Sequence, residues 1–257
     1  MRTILNIIRT SSMHKNWVVV IRKIFAKFER DTSHDALAWA SNACEEMDPF
    51  FNALSADLWR EAKKTCSDLE KVAQERLGDE GGLMGGRANC EMLYFLARFT
   101  QAETVLETGV AAGWSSQAIL TALEKNKSGK LFSSDFPYIR LDDPLKHIGV
   151  LVDESLKHRW SLDIRGDRIA LPYILKNNVM LDIFHYDSDK SYGGREFAFQ
   201  LIERRIKNNG YIIYDDIQDN MHFADLVAKN NFTYRVFKAH QKYVGLILPQ
   251  SIDTTSV

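Results

Sequence analysis

Glu107, Asp135, Asp187, Asp215 and Asp216 stand at the ends of short runs that read as β-strands, and a glycine-punctuated turn follows the first of them. The stretch Val105–Ser116 reads VLETGVAAGWSS: a strand, a turn carrying Gly109 and Gly113, then a helix starting near Ser115. Glycines permit tight backbone geometry and close approach of a ligand. Ser115 and Ser116 are natural N-cap residues, so free N–H groups face the turn. Glu107, Thr108, Gly109, Gly113, Ser115 and Ser116 thus form a candidate cofactor loop. The Glu107 carboxylate disfavours a phosphate beside that loop and favours a ligand bearing an ammonium group. Further along, Asp187 and Asp215 fall 28 positions apart at the predicted ends of adjacent strands, with Asp216 next door. Carboxylates converging on one rim repel each other unless they are protonated or bridged by a cation. An oxygen-only set suits a hard divalent ion such as magnesium, which keeps waters for substrate oxygens to replace. The plainer alternative is that strand-end aspartates cap helices or accept turn hydrogen bonds.

The elements that must position these groups alternate between strand and helix. Lys130–Asp135 reads as a second strand ending in an acid, and Trp160, Leu162 and Ile164 form a third alternating run closed by Gly166-Asp167. Met180–Tyr186 is the next strand, followed by Asp187-Ser188-Asp189-Lys190 and a helix expected from about Gly194 to Lys207 with Asn209-Gly210 as its C-cap. Tyr211–Tyr214 suits a buried parallel strand, and Phe232–Lys238 with Tyr243–Leu248 reads as a closing hairpin. Alternation of this kind implies an α/β fold with its ligand at the carboxyl ends of the strands. In such folds the acid after the second strand bonds ribose hydroxyls, which makes Asp135 the ribose candidate, with Phe136 beside an adenine.

The acidic strand followed by G-x-x-x-G resembles the first motif of class I S-adenosylmethionine (SAM) methyltransferases. It departs from the dinucleotide spacing G-x-G-x-x-G, and no P-loop Lys-Ser or Lys-Thr follows. The resemblance, covering about residues 92–249, implies a Rossmann-like fold with a seven-stranded, mostly parallel sheet, a closing antiparallel hairpin and an N-terminal helical extension. It also places Asp167 where these enzymes contact adenine. Catechol O-methyltransferase and the sugar O-methyltransferases carry a metal-binding acid after the fourth strand and an acidic pair or Asp-Asn after the fifth. Asp187, Asp215 and Asp216 match those positions. Three residues after the first acid those families carry the general base, where this chain has Lys190. The segment FHYDSDKSYGG resembles the DGDHSYEG-type motif of bacterial methyltransferases, with Ser188 and Lys190 in place of its glycine and histidine. The resemblance therefore implies methyl transfer from SAM to a hydroxyl of a small molecule or sugar, with Mg2+ or another hard divalent cation. Asp187 and Lys190 would be the catalytic side chains. Alternatives are a metal-independent N- or O-methyltransferase with Asp187 or His222 as base, an NAD-binding oxidoreductase, and a non-catalytic SAM-type module.

At 257 residues and 45% hydrophobic content the chain builds one sizeable domain with room for an extension. Its divisions are expected at residues 1–90 (helical cap with a glycine-rich loop), 91–250 (SAM-binding domain) and 251–257 (tail). A net charge of −1 gives no general drive toward nucleic acid, although the first thirty residues are strongly basic. Three cysteines without CxxC spacing favour reduced thiols in a cytoplasm. Trp17–Phe28 has helical amphipathicity with Arg22 and Lys23 off the apolar face. Such a helix packs on its own domain or a second subunit, or rests weakly on a membrane surface. Ser33–Leu77 continues helical with a break expected near Pro49. Gly78–Gly86 holds five glycines and reads as a cofactor lid or a plain loop, and Arg87–Thr100 as a helix. Tyr192, Trp114 and Phe223 are candidate linings of an acceptor pocket.

Overall fold

The structure, a computed structural model, describes residues 31–78, 89–137 and 144–250. The amphipathic stretch 17–28, most of the glycine run and the tail lie outside the described residues.

Helix α1 (Ser33–Ala43) leads into a two-residue strand, β1 (Cys44–Glu45), and then into the long helix α2 (Met47–Leu77). The break expected near Pro49 falls instead at β1, because Pro49 sits in the first turn of α2, where its missing N–H costs no helical bond. A second interruption lies at Ser55, whose backbone is extended inside α2. Helix α3 (Cys90–Phe99) is largely buried, and β2 (Thr104–Thr108) follows. The chain continues through α4 (Trp114–Asn126), β3 (Lys130–Ser134), β4 (Trp160–Asp163), α5 (Asp167–Ile174), β5 (Leu181–Tyr186) and α6 (Tyr192–Ile202). It closes with β6 (Ile206–Tyr214), α7 (His222–Asn230), β7 (Tyr234–Ala239) and β8 (Lys242–Ile247).

The strands form one sheet in the order β1-β7-β8-β6-β5-β2-β3-β4. Every pairing is parallel except β6 with β8 and β7 with β8, so the expected seven-stranded sheet with its antiparallel closing hairpin is present. The short β1 adds an eighth strand, parallel to β7 at the edge. Neighbouring residues of a strand serve opposite faces. Val105, Ile213 and Phe237 enter the core beneath α2, α3 and α4, while Leu106, Ile212 and Val236 enter the core beneath α6 and α7. β5 is buried along its whole length, as a central parallel strand should be.

One element departs from expectation at its end. Helix α6 stops at Ile202 and β6 begins at Ile206, so Asn209-Gly210 is part of a strand and not a helix cap. The reason is a register shift between Leu181 and Ile183, which lets Ile206 pair with Leu181. Gly210 is needed for that close approach, since a Cβ there would lie 2.8 Å from Ile206 Cγ2 and 3.0 Å from the Leu181 carbonyl oxygen. At the amino ends of the strands, buried Asp182 accepts the N–H groups of Glu103 and Thr104, both at 2.9 Å, and pairs with Lys207 at 2.8 Å. That carboxylate pins the start of β2 and thereby the loop that β2 delivers.

Candidate active site at the carboxyl ends of β2, β5 and β6

From β2 the chain runs outward to β3 and β4, then returns across β2 to β5 and β6. The strand order reverses between β2 and β5, the place where α/β sheets open a ligand crevice at their carboxyl ends. Gly109 sits there with φ +81°, and a Cβ on it would lie 2.2 Å from the Asp187 carbonyl oxygen. Only glycine lets the loop after β2 pass that close to the rim after β5. Gly113, at φ +98°, is the N-cap of α4, which starts at Trp114 with no side-chain cap. The expected capping serines do other work: Ser116 donates its hydroxyl to Glu107 Oε2 at 2.6 Å, and Ser115 is buried. The first-turn N–H groups of α4 are thus left without a side-chain cap.

Asp135 latches this loop. Its Oδ2 accepts the N–H groups of Val110 at 3.2 Å and Ala111 at 2.9 Å, and its Oδ1 accepts the Phe136 N–H at 2.7 Å. Burial pushes its carboxyl up to about 6, against the pull of those three donors. Thr108 is fully buried, and its carbonyl accepts the Asp187 N–H at 2.9 Å. Asp167 opens α5 and accepts hydroxyls from Ser134, at 2.7 Å, and from Ser188. It therefore ties the end of β3 to the turn after β5. Glu107 is a correction to the sequence reading. It is 0% exposed and points inward, its Oε2 also accepting the Ser133 hydroxyl at 2.9 Å, so it braces the loop from below instead of facing a ligand. His185 lies beside it, fully buried with Nδ1 3.8 Å from Glu107 Oε1. Burial works to lower that imidazole's pKa, but Glu107, Asp215 and Asp187 together hold it raised.

The carboxylates after β5 and β6 converge as expected, and what lies between them is nitrogen. Lys190 Nζ is in direct contact with Asp187 Oδ1 and sits 2.7 Å from Asp216 Oδ2. Lys242 Nζ reaches both oxygens of Asp216 at 3.1 Å, and Asn89 Nδ2 donates to Asp215 Oδ1 at 2.5 Å. Burial pushes the Asp215 carboxyl up, reinforced by Asp187. Burial acts the same way on Asp216, but Lys190 and Lys242 overcome it and hold that carboxyl down to about 2. Burial would lower the Lys190 ammonium, yet Asp187 and Asp216 raise it well above the ordinary lysine value. The lysine expected as the base thus stands as a cation between two carboxylates. Asp189, expected beside it, turns away and accepts the Ser191 N–H at 3.0 Å in the turn leading to α6.

The fit to a divalent ion is poor. Four of the six carboxylate oxygens already face N–H donors, and among the described residues no three His, Cys, Asp or Glu side chains are grouped to hold a metal. Asn89, Lys242 and Arg195 were missed from sequence. Arg195 is 0% exposed and donates from Nη2 to the Asp216 carbonyl at 2.8 Å, fixing the left-handed turn (φ 53°) that aims the acidic pair. Of the expected pocket aromatics, Phe223 is core, Trp114 packs against the core, and Tyr192 is half-exposed against the buried His222 ring at 5.1 Å.

Residues 106–217 match the profile of a methyltransferase domain family. No curated protein matches the sequence significantly. Among solved structures, an O-methyltransferase from Bacillus cereus in complex with SAH superposes with a TM-score of 0.54 at 17% identity, over 71% of this chain and 90% of that one. The O-methyltransferase TomG from Streptomyces achromogenes, involved in tomaymycin synthesis and solved with SAM, gives 0.54 at 18% identity, over 70% and 88%. A methyltransferase from Geobacter sulfurreducens gives 0.52 at 19% identity, over 86% and 98%. The matched segment runs from β2 to the acidic pair after β6, and the sheet is the one these enzymes share. The chain has the fold that these methyltransferases share, and its residues 106–217 match the model of a methyltransferase domain family.

Proposed function

We propose that this protein transfers a methyl group from SAM to a hydroxyl oxygen of a small molecule or sugar. The observation that carries the reading is the juxtaposition of two parts at the strand switch point: the latched glycine loop and a charged rim in backbone contact with it at Gly109 and Asp187. The matched family segment spans both parts. Two of the structures with this fold were solved with SAH or SAM.

In this reading the N–H groups at the start of α4 receive the carboxylate of the methionine end of SAM. A carboxylate offers about four acceptor positions, and Asp135 uses three of them on backbone N–H groups. The remaining one, on Oδ1, accepts a ribose hydroxyl. Glu107, Thr108 and Ser116 keep the loop in shape, and Phe136 and Asp167 border the adenine side. The acceptor lies over the rim formed by Asp187, Lys190 and Asp216. Its oxygen forms the new O–C bond as the C–S bond of the sulfonium breaks, and the electron pair of that bond stays on sulfur. The hydroxyl proton passes to Asp187, whose side chain is partly open to solvent. Lys190 faces the developing oxyanion with positive charge. Most of the acceleration comes from holding the methyl group and the oxygen in line at near-contact distance. The cations on Asp187 and Asp216 are lysines.

Three free cysteines suit the cytoplasmic location expected from sequence, and among the described residues no helix is long and apolar enough to cross a membrane. The test is transfer of labelled methyl from SAM to a panel of phenols, sugars and amines. Label in the hydroxylated acceptors supports the reading; label confined to amines replaces O-transfer by N-transfer.

A further inference from the structure

We propose that Lys190 and Lys242 are resident counter-ions that take the place of a divalent metal, so that the acceptor is activated by an ammonium group. The proposal rests on the methyl-transfer reading for its consequence in catalysis, and on the geometry of the rim for its substance. Lys190 bridges the acid after β5 to the second acid after β6, touching Asp187 Oδ1 and lying 2.7 Å from Asp216 Oδ2. Lys242, from the first position of β8, spans both oxygens of Asp216 at 3.1 Å. Asn89 Nδ2 takes Asp215 Oδ1 at 2.5 Å, and Gln218 Nε2 adds a contact to Asp216 Oδ1 at 3.2 Å. Donor protons therefore point at the lone pairs that a magnesium ion would need at about 2.0–2.1 Å.

The lysines are built in. The Lys190 carbonyl accepts the Asn220 amide at 2.7 Å, and Asn220 in turn accepts the His222 N–H at 3.1 Å at the start of α7. Lys242 is held by the β7–β8 ladder through its pairing with Ala239. Two of the three carboxylates, Asp187 and Asp216, meet two ammonium groups, and the third, Asp215, meets the Asn89 amide. A lysine ammonium has three donors. Lys190 gives two to Asp187 and Asp216, which leaves the third for the acceptor oxygen. That single N–H···O contact strengthens as the oxygen gains charge, so it favours the transition state over the bound hydroxyl.

The experiment is a titration of Mn2+ into EDTA-treated full-length protein, read by the paramagnetic resonance signal of free Mn2+, for wild type, Lys190→Ala and Asp187→Asn. The expected result is no saturable binding to wild type up to millimolar Mn2+. Lys190→Ala, which removes one positive charge from the acids, should gain saturable binding at least about tenfold tighter. Saturable Mn2+ binding by wild type that Asp187→Asn abolishes would overturn the proposal. If Lys190→Ala fails to fold by circular dichroism, the wild-type titration decides alone. SAM titrated into the same metal-free sample separates the two readings. SAM binding without Mn2+ binding supports both, whereas absence of SAM binding removes methyl transfer and leaves the rim's counter-ions standing.

Discussion

At the scale of the residue, Asp135 is where burial and ligand chemistry meet. Its carboxyl titrates near 6 because it is buried, although three N–H groups favour its charged form. A ribose hydroxyl donates to the charged form, so SAM binding lowers that pKa. Binding is then strongest above about pH 6 and weakens as pH falls through the free protein's value, by up to about tenfold per unit. Calorimetry of SAM binding between pH 5 and 8 should show that loss, and Asp135→Asn should flatten the profile while weakening affinity by about 10- to 100-fold. An unchanged profile in the variant would take the ribose role from Asp135. The same scale shows what a sequence hides. Lys190 is three positions from Asp187 and legible as its neighbour, but its second partner, Asp216, comes from another strand. Asn89 is separated from Asp215 by 126 positions, and no local pattern announces that bond.

Among the elements, the unit from β2 through the loop to α4 was legible because its chemistry is local: an apolar strand, two glycines and a helix in one short stretch. Strand ends bearing Asp187 and Asp215 were legible for the same reason. The end of α6 was not, because Asn209-Gly210 looks like a helix stop while tertiary pairing of Ile206 with Leu181 overrides that signal. Nor was the inward turn of Glu107, set by hydroxyls on α4 and β3. Gly109 carries the clearest prediction here. Gly109→Ala combines a left-handed backbone cost of about 1–2 kcal/mol with a Cβ 2.6 Å from the Asp187 carbonyl carbon, an atom that cannot step aside alone. Thermal denaturation should show a melting temperature lower by about 2–8 °C, and SAM affinity should fall at least about tenfold as the loop and rim separate. Gly78→Ala is the control: it shares the positive φ, at +47°, with nothing within 4 Å, so SAM affinity should not change.

For the whole molecule, an aromatic cluster fastens α2 to α3 and, through Phe51 against Phe237 of β7 at 5.6 Å, to the sheet. Trp59 is 2% exposed, stacks on Phe51 at 4.6 Å, meets Phe95 edge-on at 5.8 Å, and donates its indole N–H to Asp48 at 2.7 Å. At the far end of α2, Arg76 bonds Asp153 at 2.5 Å, and Asp153 accepts the Gln117 amide at 3.0 Å, which connects α2 to α4. Trp59→Ala should cost about 3–5 kcal/mol and be read as a lower melting temperature, with SAM affinity of the folded fraction unchanged because the cluster lies away from the crevice. Whether this sheet takes SAM at its switch point is read by calorimetric titration of SAM into the metal-free protein, with NAD as the control. Saturable binding of SAM at one site per chain and none of NAD is expected; folded protein that binds NAD, or binds neither, would overturn the methyl-transfer reading.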